Sequence, residues 1–569
     1  IDVIVLIKFS YHIRSITVSY QKLVLTLSAL LGTLLSINCL ADSPPCTTET
    51  IETANGPICG VEVAVPNTEQ NADVFLGIPF AESTAGNNRW KPPKSKKPWR
   101  KTLHATQFGL ICPQPILFPI PQPEQSEDCL SLNVWTPTNR ENNANLPVMV
   151  SIHGGAFLTG AGSLPLYDGS YMATKENVVV VTFNYRVGAL GFLNSRGLRG
   201  NYGFLDQQQA LKWVQDNIQS FGGDPDQVTI FGQSAGAMSV GLHLASAPSS
   251  QKLFQAGIMQ SNAYSLPYQT SKEAGEIGKL FASLLNCRNP ACLRRQSVEN
   301  ILLAQSQVVS YFPLAWQGVG SILTWAPTID GRVLKNQPLE AKFIRKPNIL
   351  GTTADEGILF ATFMSPDLSI PATGYAALMD LMFGDKAPQI LEEYPPSDIP
   401  QITGLTLAQV LTDYGYTCSN NYVAEQSSTG GHAYFFTQLS SFNPLFSLMM
   451  GVPACADKVC HGFELPYVFH LDYLNFTPAE EQLSQEVVHY WANFATHLDP
   501  NDGSSVTWPS FKPDNNYLIL DTFLTTQPDP FTEVCGFWDS IGYDRSAHLW
   551  PTLIKAMKEN MKEAEIETD

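Results

Sequence analysis

The stretch Val228–Ser239, VTIFGQSAGAMS, decides the fold of this chain. It begins as an apolar run with β-branched side chains and ends in small residues that suit the start of a helix. Between them lies a Gly-x-Ser-x-Gly pattern over residues 232–236, centred on Ser234. A turn this sharp strains the backbone at the serine and brings strand and helix so close that residues larger than glycine would clash. The stretch therefore predicts a strand, a tight turn and a helix, with the serine at the tip of the turn.

The rest of the chain alternates between apolar runs and segments with helical periodicity. The segment 206–218, DQQQALKWVQDNI, places Ala210, Leu211, Val214 and Ile218 on one stripe. Continuous apolar strands that alternate with amphipathic helices indicate an α/β protein with a large central, mostly parallel sheet and helices on both faces. Functional groups are then expected at the carboxyl ends of the strands. The clearest of the apolar runs cover residues 146–155, 177–186, 227–233 and 347–353.

Composition narrows the class of function. The chain has 569 residues, of which 44% are hydrophobic and 15% charged, so it can bury a large core. Its formal net charge is −18. A surface this acidic repels phosphate backbones, which argues against nucleic acid as a partner. No feature of the sequence sets an oligomeric state.

The N-terminal segment has the pattern of a targeting signal. Basic residues precede the apolar run 23–35, and a site with small residues ends at Ala41, so residues 1–41 are expected to be a signal peptide. We therefore expect a secreted or periplasmic protein in which residues 42–569 form one domain that ends in a solvated helical tail. Two alternatives are a membrane anchor, for which the run is short, and a lipoprotein acylated on Cys39. The chain begins with Ile1, which leaves the translation start open and residues 1–20 in question.

The cysteines indicate disulfides. Of eleven cysteines, ten are left once Cys39 is lost with the signal, and an even set of thiols in an exported protein is expected to be oxidised. Proximity alone suggests three pairs. A metal site is not expected, because the ten histidines are scattered rather than clustered with cysteines at ligand spacing. The three local pairs are Cys46 with Cys59, Cys287 with Cys292, and Cys455 with Cys460.

A serine hydroxyl needs partners before it can act as a nucleophile. It requires a base, a group that orients the base, and donors for the oxyanion that forms on the substrate. The apolar run 146–152 ends in a glycine-rich turn, His153-Gly154-Gly155, of the type that points backbone N–H groups at a negative charge. Gly154, Gly155 and Ala235 are the predicted donors. We interpret His153 as a structural residue of this loop.

The base and the acid should follow the serine in the chain. His461, in ACADKVCHGFEL (454–465), lies in a glycine-flanked turn before the apolar run LPYVF (465–469), which we interpret as a strand. Glu356 comes directly after the strand-like run 347–353 and is the predicted acid; Asp355 is the alternative. Three other histidines after the serine, His243, His489 and His497, fall in segments with helical periodicity. Of the rest, only His461 lies in a glycine-flanked turn before an apolar run.

Together these motifs resemble the type B carboxylesterase and cholinesterase family of α/β-hydrolases, from about Cys59 to Trp538. The resemblance implies the α/β-hydrolase fold, hydrolysis of a small-molecule ester without a cofactor, the triad Ser234, Glu356 and His461, and an oxyanion hole of Gly154, Gly155 and Ala235. The motifs are FLGIPFA (75–81), SEDCLSLNVWTP (126–137), HGGAF (153–157), FNYRVGALGFL (183–193), FGQSAG (231–236), DEG (355–357), CHGFELPYVF (460–469) and YWANFA (490–495).

The resemblance also implies two long-range disulfides, Cys112 with Cys129 and Cys418 with Cys535, so that all ten cysteines pair. Three departures bear on the substrate. The segment 113–128 has no tryptophan to hold a quaternary ammonium group, and Gln233 stands where cholinesterases have glutamate, so choline esters are not expected. The segment QSNA (260–263) lacks the second serine of many relatives. A lipase, an amidase and a non-catalytic adhesion protein are the alternatives that the sequence leaves open.

Overall fold

The computed structural model describes residues 45–68, 70–116, 123–140, 144–245, 249–313, 323–340, 345–429, 431–543 and 548–566. The predicted signal peptide, its cleavage site and Cys39 lie outside these residues. From Cys46 onward the described residues form one structural unit.

An eleven-stranded sheet forms the centre of this unit. Its strand order is β16-β15-β14-β13-β12-β11-β7-β8-β6-β4-β3. The six pairings from β15 to β8 are parallel, and the four at the two edges are antiparallel. The strands of the described chain are β1 Ile51–Thr53, β2 Gly56–Cys59, β3 Val61–Ala64, β4 Asn71–Pro79, β5 Leu103–His104, β6 Ser131–Pro137, β7 Leu146–Ile152, β8 Val179–Phe183, β9 Asn194–Ser195, β10 Leu198–Arg199, β11 Gly223–Gln233, β12 Ala256–Gln260, β13 Asn348–Thr353, β14 His432–Phe436, β15 Asn516–Leu520 and β16 Thr525–Pro528.

The parallel strands are buried on both faces. Every residue of β7, β8, β12 and β13 is buried. Successive side chains of a strand point to opposite faces, so complete burial requires cover on both sides of the sheet. Helices provide this cover, as the apolar runs predict.

The helices of the described chain lie between and after these strands. The predicted helix 206–218 falls in α3, where Ala210, Leu211 and Val214 are buried. The bounds are α1 Ser170–Glu176, α2 Gly188–Phe192, α3 Tyr202–Asn217, α4 Ala235–Ala245, α5 Ser271–Leu284, α6 Pro290–Arg294, α7 Val298–Ser310, α8 Glu356–Thr362, α9 Ala372–Phe383, α10 Ala387–Glu393, α11 Pro400–Val410, α12 Cys418–Gln426, α13 Asn443–Met449, α14 Leu465–Val468, α15 Pro478–His497, α16 Thr532–Ile541 and α17 Leu549–Ile566.

The apolar run LPYVF is a helix, α14, so the prediction of a strand there was wrong. A run of five apolar residues fits a short strand and a buried helical turn equally well. Pro466 lies in the first turn of α14, where its missing N–H costs nothing, whereas inside a strand it would remove a ladder hydrogen bond.

The ten cysteines from Cys46 to Cys535 form five disulfides, which are the five pairs expected above. Cys418 and Cys535 join α12 to α16 across 117 positions of sequence. The helices of the described residues include none that is both long and apolar enough to cross a bilayer. The remaining pairs are Cys46–Cys59, Cys112–Cys129, Cys287–Cys292 and Cys455–Cys460.

Candidate active site

Ser234 lies in the turn between β11 and α4. Its φ of +59° is in the left-handed region, which residues with a side chain rarely adopt. Its N–H donates to the carbonyl of Gln260 on the neighbouring strand β12 at 2.9 Å. A Cβ atom at Gly232 would lie 2.5 Å from the carbonyl oxygen of Ile152, and one at Gly236 would be closer still. The two glycines are therefore what allows β11, α4 and β7 to approach so closely around the serine.

Glu356 and His461 meet at the same edge of the sheet. Glu356 is the first residue of α8, shortly after β13, and is fully buried. His461 Nδ1 donates to Glu356 Oε2 at 2.5 Å, and the N–H of Thr353 donates to Glu356 Oε1 at 2.8 Å. Both carboxylate oxygens are thus held, which fixes the orientation of the acid and, through it, of the imidazole.

His461 adjoins the cavity that contains Ser234. Both residues line this cavity, whose volume is about 1150 Å³ including its opening to solvent. His461 Nε2 is buried, and no atom of the described residues forms a hydrogen bond with it. A bond between Ser234 and His461 is therefore not formed in this structure, although looser geometry is common at catalytic serines in the absence of substrate.

Asp355, the alternative acid, has another role in the structure. Its Oδ2 accepts a hydrogen bond from the N–H of Val459 at 2.8 Å, and its own N–H donates to the Val459 carbonyl at 2.9 Å. Val459 lies two residues before His461. Asp355 therefore ties the segment that carries the acid to the segment that carries the histidine.

A disulfide holds the same segment. Cys455 and Cys460 are bonded, fully buried, and line the cavity beside His461. As disulfide partners they are neither nucleophiles nor metal ligands in this form. The disulfide and the hydrogen bonds from Asp355 therefore hold the segment 455–461, in addition to the bond between His461 and Glu356.

The glycine-rich turn after β7 lies against the serine. A Cβ atom at Gly154 would lie 3.2 Å from that of Ser234. The N–H of Gly154 donates to the Tyr167 hydroxyl at 3.3 Å, so this predicted oxyanion donor already has an acceptor. Gly155 and Ala156 both line the cavity, with φ values of +105° and +55°. In the part of the chain that the structure describes, the N–H groups of Gly155, Ala156 and Ala235 have no acceptor.

His153, at the start of this turn, is a structural residue. It is buried and stacks on Tyr185 with ring centroids 4.2 Å apart, and its Nδ1 donates to the carbonyl of Gly154 at 2.8 Å. Burial lowers the pKa of His153 to about 4, so the ring is neutral near pH 7. The sequence interpretation of His153 agrees with these contacts.

A second buried carboxyl group, Glu464, lies behind the triad residues. Gln260 Nε2 donates to Glu464 Oε1 at 3.2 Å, whereas Glu464 Oε2 has no partner among the described residues. Burial, reinforced by the nearby charge of Glu356, raises the pKa of Glu464 to about 8. Ala263, at the position where the family resemblance implies a second serine, has no hydroxyl to offer a hydrogen bond. Sequence reasoning identified this departure but not Glu464.

The cavity wall is mostly apolar. None of the described residues that line the cavity is acidic, lysine or arginine, and none is tryptophan. Phe360 packs edge-on against the imidazole of His461, with ring centroids 4.9 Å apart. The principal apolar residues of the wall are Leu164, Leu166, Leu359, Phe360, Phe363, Phe446, Met450, Val452, Phe463 and Leu465.

Besides Glu464, sequence reasoning missed two features of the site. Tyr167 comes from the turn Pro165–Tyr167, and nothing in the sequence links its hydroxyl to the N–H of Gly154. Ala156 follows the two glycines directly, but its left-handed backbone cannot be inferred from a residue type that rarely adopts it. The only sequence signal for the role of Ala156 was its position in the motif HGGAF.

Comparisons with known proteins show the family of this chain. The model of the carboxylesterase family matches residues 47–538. The acetylcholinesterase of Bungarus fasciatus is 33% identical over 90% of this chain and 88% of its own length. The cAMP-regulated D2 protein of Dictyostelium discoideum is 36% identical over 82% of this chain and 88% of its own length.

A solved structure of PNB esterase is 33% identical to this chain and superimposes with a TM-score of 0.73. It covers 86% of this chain and all of its own length. The family match, the curated relatives and this structure all extend over the serine turn, the acid and the histidine segment. This chain belongs to the carboxylesterase family of serine ester hydrolases.

Proposed function

We propose that this chain hydrolyses carboxylic esters through a Ser234–His461–Glu356 triad and an acyl-enzyme intermediate. The observation that carries the proposal is the hydrogen bond between Glu356 and His461, at a cavity that also contains Ser234 on its strained turn. A carboxylate on Nδ1 keeps the proton on that nitrogen, which leaves Nε2 free to accept one.

The reaction proceeds in two steps. His461 Nε2 takes the proton of the Ser234 hydroxyl as Oγ attacks the ester carbonyl, and the alcohol leaves with that proton. Water then attacks the acyl-enzyme while His461 takes its proton; the acyl C–Oγ bond breaks, the acid leaves, and His461 returns that proton to Ser234 Oγ. Glu356 stays ionised and stabilises the imidazolium in both steps. Side chains, backbone N–H groups and water account for every proton and bond in this scheme.

The oxyanion is bound by the backbone N–H groups of Gly155, Ala156 and Ala235. This proposal replaces Gly154 with Ala156, because the Gly154 N–H would first have to leave the Tyr167 hydroxyl. Ala235 is the first residue of α4, where N–H groups have no partner within the helix and the helix dipole favours negative charge.

The substrate is an uncharged ester with an apolar acyl or alcohol group. The wall offers apolar contact over most of its surface, and the described lining has no carboxylate to balance a cation and no indole ring to hold one. We therefore propose a carboxylesterase rather than a choline esterase, although one relative bears the name acetylcholinesterase.

The protein acts outside the reducing cytoplasm. Five disulfides are expected in an exported protein and are rare in a cytosolic one. We propose that residues 1–41 direct export and are removed after Ala41, which leaves one domain with a helical C-terminus. N-terminal sequencing of the mature protein should begin at Asp42.

The test is the Ser234→Ala variant with p-nitrophenyl acetate. Its kcat should fall by about a millionfold, as expected when a triad loses its nucleophile. Ser306→Ala is the matched control, because this serine is exposed on α7, does not line the cavity, and should leave the rate unchanged. A Ser234→Ala rate above about 1% of wild type would mean that another residue is the nucleophile.

A further inference from the structure

Helix α13 exposes large apolar side chains next to the cavity. Leu445, Leu448 and Met449 are 52%, 59% and 37% exposed. Their spacing of three and four positions places them on one side of the helix. We call these three residues the rim patch.

The other side of the same helix forms part of the cavity wall. Phe446 and Met450, four positions apart, both line the cavity, and Phe446 packs edge-on against Phe463 at 5.0 Å. Asn443 Nδ2 donates to the carbonyl of Lys458 at 2.8 Å, which ties the start of α13 to the histidine segment. The helix is therefore apolar on both sides: Phe446, on the inner side, is buried, whereas the side chains of the rim patch are exposed to solvent over 37–59% of their surface.

Two further segments of the cavity wall also expose apolar side chains. Phe363 lines the cavity and is 39% exposed. Ile116, which directly follows the cavity residue Pro115, is 72% exposed. Apolar surface therefore continues from inside the cavity to its solvent-facing edge on three separate segments.

Charge indicates what kind of surface would meet the rim patch. Residues 437–456 contain no acidic, basic or histidine residue, in a chain whose net charge is −18. An anionic surface would be repelled by the protein as a whole, whereas a neutral apolar surface would meet no charge on this segment.

A second copy of the chain fits less well. Stable dimers bury about 800 Å² on each partner, and three partly exposed side chains supply far less than this. An apolar helix face that is too small for a dimer is large enough to insert into the boundary of a lipid surface.

We propose that the rim patch docks the protein onto the surface of aggregated neutral lipid esters, such as glyceride droplets, and that acyl chains pass from this surface along α13 into the cavity. The substrate class is then water-insoluble esters with apolar acyl chains. The hydrolysis part rests on the proposed function, whereas the docking part does not.

The docking test separates binding from chemistry. All variants carry Ser234→Ala, so that the droplets are not consumed, and their flotation with triolein droplets coated with phosphatidylcholine is measured. The variant Leu445→Gln/Leu448→Gln/Met449→Gln should bind at least about tenfold more weakly, because the substitutions remove most of the apolar contact. The matched control replaces three comparably exposed residues that do not line the cavity. It is Ile399→Gln/Ile402→Gln/Leu405→Gln, and it should bind as the parent does.

A kinetic test uses the protein with Ser234 intact. The rate on tributyrin should rise steeply above the solubility limit of this ester. In the rim-patch variant the ratio of this rate to that on dissolved p-nitrophenyl acetate should fall about tenfold, and in the control variant it should not fall. If the triple variant fails to fold, Leu448→Gln alone should show the same direction of change.

Three results would overturn the proposal: no flotation of the Ser234→Ala parent, an equal loss in the two triple variants, or a sedimentation shift from dimer to monomer in the rim-patch variant without a change in flotation. Stronger binding to droplets that contain phosphatidylglycerol would contradict the neutral-surface argument. If Ser234→Ala floats but the intact protein hydrolyses no ester, the proposed function fails and the docking proposal stands.

Discussion

Removing the disulfide beside His461 should lower the catalytic rate, whereas removing a disulfide of equal size elsewhere should not. The perturbation is Cys455→Ala/Cys460→Ala, which frees the segment that ends at His461. The chain contains a matched control in Cys287→Ala/Cys292→Ala, because this pair has the same sequence separation of 5 and does not line the cavity.

The magnitude follows from the size of the loop. Closing a loop of about six residues stabilises a folded protein by about 2 kcal/mol in the chain-entropy model. Both double variants should therefore lose stability by about this amount in urea unfolding. If the whole loss of about 2 kcal/mol raised the activation free energy through misplacement of His461, kcat would fall about 30-fold, since about 1.4 kcal/mol corresponds to a factor of ten.

Several hydrogen bonds to this segment remain after the disulfide is removed. Asp355 still holds Val459, and Glu356 still holds His461. The expected loss in kcat on p-nitrophenyl acetate is therefore between about threefold and 30-fold in the Cys455/Cys460 variant, and less than about twofold in the control. The reasoning is refuted if the first variant keeps the wild-type kcat, or if the control loses as much.

Three other predictions concern Asp355, Glu464 and the disulfides. Asp355→Ala leaves the Val459 N–H without its acceptor and should lower kcat by about 10- to 100-fold with little effect on KM, whereas Asp355→Asn keeps an acceptor and should restore most of the rate. If Asp355→Ala matched the loss of about ten-thousandfold expected for Glu356→Gln, the acid would be misassigned. Glu464→Gln should make stability less dependent on pH. The raised pKa of about 8 means that the folded protein keeps a proton which the unfolded chain loses near pH 4.5, so this contribution is lost as pH rises towards 8. The melting temperature of Glu464→Gln should therefore rise relative to that of wild type as the pH increases from about 5 to 8. A difference between the two melting temperatures that stays constant with pH would contradict the burial argument. Thiol titration of the denatured, unreduced mature protein should find about zero free groups, and two or more would refute complete pairing.

The parts of the candidate site that could be predicted from the sequence are those where local chemistry leaves few alternatives. Ser234 could be placed because Gly232 and Gly236 have no room for a side chain beside Ile152. Glu356 follows a strand whose burial makes it an apolar run. Each of these signals comes from residues that are close in sequence.

The features that could not be predicted depend on contacts between distant segments. The bond between Asp355 and Val459 joins residues 104 positions apart, and a carboxylate that binds a backbone N–H looks in sequence like one that binds an imidazole. The hydroxyl of Tyr167 removes Gly154 from the set of free donors through a contact that no pattern reveals. The helix α14 was missed because five apolar residues do not distinguish a turn of helix from a strand.

The bridge between Cys418 and Cys535 has a practical consequence for proteolysis. His461 lies inside the loop that this bridge closes. A single cut anywhere in that loop leaves both pieces covalently attached, so a nicked molecule would migrate as one band on a gel without reductant and as two bands after reduction. Cleavage in this region would thus not by itself release the histidine from the serine, and loss of activity on storage cannot be judged from an intact band.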